Sequence, residues 1–142
     1  MMTINTKDFV TAYPGLLVGL FVIVLFGIGH AAVPSGITRT DAGGGVTVKA
    51  TYLNPQGTAD ARFDIGLDTH SVNLDAYDLR ALSLLRDEVG KDYQPTHVEN
   101  KGSGHHRQIT LVFPKPSSET KKLELVIKDM AGVKERVFRW DF

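Results

Sequence analysis

Two hydrophobic patterns divide the chain. From Gly15 to Gly29 the sequence GLLVGLFVIVLFGIG is continuously apolar, and Ala31, Ala32 and Val33 extend it past His30. A run of about 19 residues at 1.5 Å each matches a hydrocarbon layer of ~30 Å, so residues 15–33 are expected to form one transmembrane helix. Pro14 suits its first turn and Pro34 its exit. After Gly45 the apolar positions alternate instead, as on a strand with one buried face: Val46, Val48, Ala50 and Tyr52, then Phe63, Ile65 and Leu67. Ile109, Leu111 and Phe113 repeat the pattern, as do Leu123, Leu125 and Ile127, and the last strand places Phe138, Trp140 and Phe142 on one face.

Turn residues separate these runs: Asn54-Pro55-Gln56-Gly57, Pro114 with Pro116, and Ala131-Gly132. The middle is ambiguous. Leu74, Tyr77, Ala81, Leu82 and Leu85 fit an amphipathic helix with Asn73 as cap and Gly90 as stop. The preferred reading is a turn at Asp75–Asp78, a strand over Leu79–Arg86, a turn near Asp87–Gly90 and a return strand over Tyr93–Val98. Seven or eight strands at about ten-residue spacing predict a mainly β fold, an immunoglobulin-like antiparallel β-sandwich behind one N-terminal hydrophobic helix.

The domain plan is then an N-terminal flank over 1–14, the transmembrane helix or uncleaved signal anchor over 15–33, a flexible linker over 34–45 and the sandwich over 46–142. The linker PSGITRTDAGGG has the small, polar composition of a tether. A cleaved signal peptide competes with the anchor, because Gly29-His30-Ala31 puts small residues at the cleavage-pocket positions. The long flank with only Lys7 beside Asp8 argues for retention. A helix packed inside an assembly such as a filament satisfies the same hydropathy. Lys7 against Arg39 and Lys49 gives little charge bias, and the simpler orientation puts the domain on the extracytoplasmic side.

Composition narrows the partners. The chain of 142 residues carries 16 basic and 16 acidic side chains, so no long-range field draws it to nucleic acid. It has no cysteine, which removes disulfides, thiolate metal sites and lipid-modified cysteines. A domain of about 100 residues must then be held by its core alone.

The candidate chemistry lies in two short segments, Asp68-Thr69-His70-Ser71 and Gly102-Ser103-Gly104-His105-His106-Arg107, with His97 as a further histidine. Imidazole and carboxylate are the usual ligands of copper(II) or zinc where thiolates are missing, which makes His70, His105, His106 and Asp68 the candidate metal ligands. If Phe63, Ile65 and Leu67 point inward, alternation turns Asp68 and His70 outward together. The plainer account is that Asp-Thr-His-Ser caps a turn and Gly-His-His is a solvated hairpin. No catalytic residue is expected: the chain lacks a Gly-x-Ser-x-Gly elbow, a phosphate-binding glycine loop and a cysteine nucleophile, and Asp68, His70 and Ser71 are too close in sequence to form a triad. Asp75 and Asp78 lack the spacing of a calcium loop.

Leu67-Asp68-Thr69-His70-Ser71, Gly104-His105-His106-Arg107 and Val137-Phe138-Arg139-Trp140 together resemble a pattern of exported prokaryotic β-sandwich domains with no established activity. The resemblance implies export and a sandwich fold and supplies no function. The expectation is therefore a membrane-anchored extracytoplasmic binding module rather than an enzyme, with copper or zinc as its cofactor. The alternative is a structural or accessory subunit that meets a protein partner in a membrane complex or filament.

Overall fold

The computed structural model describes residues 37–55 and 59–142. The flank, the apolar segment 15–33 with His30, and the first residues of the linker lie outside the described residues. Among the described residues no helix is long and apolar enough to cross a membrane.

Alternation builds two antiparallel sheets. Strands β1 (Thr38–Gly43), β2 (Val46–Tyr52), β3 (Asp60–Thr69), β4 (Ser83–Asp87), β5 (Asp92–Tyr93), β6 (His97–Ser103), β7 (His106–Pro114), β8 (Lys122–Met130) and β9 (Val133–Asp141) follow one another along the chain. One sheet has the order β1-β2-β3-β7-β6 and the other β5-β4-β8-β9. Inward residues of both sheets form one core, in which the Phe63 ring stacks on Tyr52 at 4.5 Å and meets Trp140 at 5.1 Å and Phe113 at 5.8 Å. Aromatic contacts of this kind add about 1 kcal/mol each to the area they bury.

Three expectations change. The first concerns the linker: residues 38–43 of the segment read as a tether form β1, and the sheet begins at Thr38 rather than Val46. The inward positions of β1 are Arg39, Asp41 and Gly43, opposite Ala50, Val48 and Val46, so the strand has no apolar alternation to reveal it. It is held by polar contacts to β9 in the other sheet. Arg136, fully buried, pairs with Asp41 and donates to Gly43 O at 2.6 Å, Arg39 Nε donates to Arg139 O at 2.9 Å, and Trp140 Nε1 donates to Ile37 O at 2.7 Å. Gly44 and Gly45 turn the β1–β2 hairpin with φ of 59° and 77°, and a Cβ at Gly44 would lie 1.8 Å from Ala131 O, so the turn requires glycine.

The second concerns 74–89. The expected turn is a 3-10 helix, Leu74–Ala76, capped by Asn73, and the expected strand splits into a one-turn helix α1 (Leu79–Leu82), capped by Asp78, followed by β4. Asn73 and Asp78 each accept a hydrogen bond from a backbone N–H two residues on, which favours local turns over a strand there. Third, the return strand expected over 93–98 is divided between β5 and β6, which belong to different sheets. Buried Pro95 lies between them, where it removes a ladder donor.

The register gives the sandwich two distinct ends. Ile37, Tyr52, Asp60, Asp87, Pro114, Lys122 and Phe142 mark the end at which the described chain begins. The Gly44-Gly45 turn, Thr69, the 70–78 loop, the Gly104-His105 hairpin and the Ala131-Gly132 turn mark the other, about 30 Å away along the ten residues of β3.

Candidate functional site

At the far end, the two histidine-bearing segments meet. Asp68 lies opposite His106 in the β3–β7 ladder, both on the outer face, with His106 Nδ1 3.4 Å from Asp68 Oδ1 and both side chains more than half exposed. Thr69 N donates to His105 O at 3.1 Å, so the backbone of His105 adjoins the residue that precedes His70. His70 itself lies in the bend beyond β3, not on the strand, and is exposed, as is His105 in the hairpin turn. His97 begins β6 opposite Val112, six positions from Ser103 and therefore roughly 20 Å from the hairpin.

The corner is assembled by polar side chains that sequence reasoning did not single out. Thr69, buried, donates its hydroxyl to Gly45 O at 2.6 Å and accepts from Ser71 N and Val72 N, which caps the end of β3. Asp75 accepts from Gly104 N at 3.1 Å and ties the 3-10 turn to the hairpin. Arg107 points inward from β7 and is 9% exposed, with one guanidinium nitrogen donating to both Leu74 O and Tyr77 O and Nε donating to Asn100 Oδ1. It thereby gives Tyr77 O a donor and adds a second donor to Leu74 O, which also accepts from Tyr77 N. The only signal for Arg107 in the sequence is a cation at an alternation position meant for the core, in register with Ile109 and Leu111.

Beside Asp68 and His106 a cavity of about 280 Å³ is lined by Leu67, Lys101, Gly102, His106, Arg107 and Gln108. Gly102 is required here: its φ is 81° and a Cβ would stand 2.7 Å from His106 O. On the neighbouring outward row Gln108 donates to Asp64 at 2.6 Å, so the face beside the pair is polar and already hydrogen-bonded. Two donors, one carboxylate oxygen and one imidazole nitrogen, are side by side in solvent. Among the described residues no three His, Asp or Glu side chains are grouped to hold a metal ion.

The clearest electrostatic feature lies at the opposite end and is structural. Burial pulls the Asp87 carboxyl upward, and hydrogen bonds from Lys91 N, Tyr93 OH and Val89 N outweigh it, so Asp87 ionises below the usual carboxylate range. Burial, with the hydrogen bond to Asp87, pushes the Tyr93 hydroxyl above its usual range.

The described residues form a mainly β, two-sheet sandwich with a polar, histidine-bearing corner. Comparison with family models, curated proteins and solved structures finds no match for the chain.

Proposed function

We propose that the chain is a binding module held at the cell membrane by one N-terminal helix over residues 15–33, with its domain on the extracytoplasmic side and a copper(II) or zinc site at the Asp68–His106 corner. The observation that carries the ligand site is the meeting of the two segments, which are distant in sequence and place Asp68 and His106 at 3.4 Å. His70 and His105 flank that pair in the adjoining loop and turn, and their exposure leaves the imidazoles able to rotate toward a shared ion. The finer fold reading is immunoglobulin-like. The orders β2-β3-β7-β6 and β5-β4-β8-β9 correspond to the A-B-E-D and C′-C-F-G sheets of that Greek key, with β1 as an added strand beside the first.

Calorimetric titration of Cu(II) and Zn(II) into the full chain in mild detergent tests the site. The expected result is one ion bound more tightly than millimolar, with at least about tenfold loss in His106→Ala and a smaller loss in His70→Ala or His105→Ala. Binding weaker than millimolar, or equal in His106→Ala, overturns it.

A second reading, an accessory subunit in a membrane complex, is favoured by β6. This strand ends the five-stranded sheet, and six of its seven residues are exposed, which offers an edge for strand addition. A monodisperse monomer after purification from its native membrane in gentle detergent would count against that role.

A further inference from the structure

We infer that the end of the sandwich at which the chain enters is a seating surface for the lipid bilayer, so that the Asp68–His106 corner faces away from the membrane. The inference rests on the anchored reading above and adds an orientation to it.

Four large apolar side chains are exposed among the described residues: Leu53, Val89, Val137 and Phe142. Three of them, Leu53, Val89 and Phe142, lie at the entry end, on three separate segments. Leu53 follows β2, Val89 is at the tip of the β4–β5 turn with 82% exposure, and Phe142 follows β9. Two hydrogen bonds and one ring contact join these segments. Lys121 N donates to Glu88 beside Val89, Phe142 N donates to Lys121 O, and the Phe142 ring meets Tyr52 beside Leu53 at 5.8 Å. A cavity of about 290 Å³ lies at this end beside Phe142, with Tyr52, Pro116 and Leu123 completing its apolar wall and Asp60, Lys115 and Ser117 at the same opening. Amphipathic lining of this kind suits the glycerol and headgroup region of a phospholipid, apolar on one side and phosphate-bearing on the other.

The occupant is fixed by the length of chain available. Because β1 begins at Thr38 and Ile37 O is held by Trp140, only residues 34–37 separate the apolar segment from the sandwich. The five steps from Val33 to Thr38 span at most about 18 Å when fully extended. A domain so closely tied presents its entry end to the headgroups and cannot turn its far end, about 30 Å distant, toward them. Exposed Arg62, Lys91, Lys115 and Lys121 are balanced at this end by Glu88, Asp92, Glu119 and Asp141, so the apolar side chains, not net charge, provide the contact.

The chain has no cysteine, which permits single-site probes. Leu53→Cys, Val89→Cys and His105→Cys, each carrying an environment-sensitive fluorophore, are reconstituted as full chains into phosphatidylcholine vesicles containing spin-labelled lipid. The expected result is a blue shift at positions 53 and 89, with quenching about twofold or more above that at position 105. Equal, water-like emission at all three positions, in protein that floats with the vesicles through an alkaline wash, overturns the seating surface and leaves the anchor intact. Stronger quenching at position 105 reverses the orientation and also overturns it. Protein that washes off the vesicles removes the anchored reading itself, and the seating surface with it.

Discussion

Adjacent residues His106 and Arg107 differ in what they contribute. His106 is exposed and its contact with Asp68 is screened by water, whereas Arg107 is buried and serves two loop carbonyls and Asn100. Arg107→Ala is therefore expected to cost about 3 kcal/mol, while His106→Ala stays within about 0.5 kcal/mol, as urea unfolding would measure. A comparable loss in both would mean that the histidine also holds the corner together. Asp87 sets a pH dependence. Its folded pKa lies below its unfolded value, so its contribution is complete above about pH 4 and is lost as pH falls through the folded value. Asp92, bonded by Arg86, and Glu124, bonded by Arg139 and Lys122, are lowered as well and act in the same direction. Unfolding midpoints should fall as the pH drops below about 4, with a shallower fall in Asp87→Asn.

Among the elements, β1 shows how polar side chains can join two sheets. Arg136 has no solvent exposure and its Nε has no partner among the described residues, so its balance depends on Asp41 and Gly43 O. Asp41→Ala leaves a buried cation, and because Asp41 is itself 43% exposed the expected cost is reduced by water to about 2 kcal/mol. The double variant Asp41→Ala with Arg136→Met should recover part of that loss in urea unfolding; no recovery would show that β1 is held by its ladder alone. The strands with apolar alternation, β2, β3, β7 and β8, were legible in the sequence because each has one buried face. β1 was not, because its inward residues are Arg39, Asp41 and Gly43, and β6 was obscured because Val98 is the only large apolar residue in HVENKGS. The region before β4 mixes leucines spaced for a helix at 79 and 82 with strand positions at 84 and 85, and the chain does take both conformations in turn. The two site segments were legible as chemistry, but their adjacency depends on the β3–β7 pairing across more than thirty residues of intervening chain.

For the molecule as a whole, the placement of β1 matters most. It takes residues 38–43 out of the expected twelve-residue tether, and the sandwich has one end that receives the chain and another that carries Asp68, His70, His105 and His106. The polar corner lies about 30 Å along β3 from the end at which the described chain begins. Metal binding at this corner would be read by continuous-wave EPR of the full chain with one equivalent of Cu(II). The expected spectrum is axial with imidazole nitrogen couplings, altered in Asp68→Asn and reduced in number in His106→Ala. The spectrum of aqueous Cu(II), or one unchanged by His106→Ala, would contradict it.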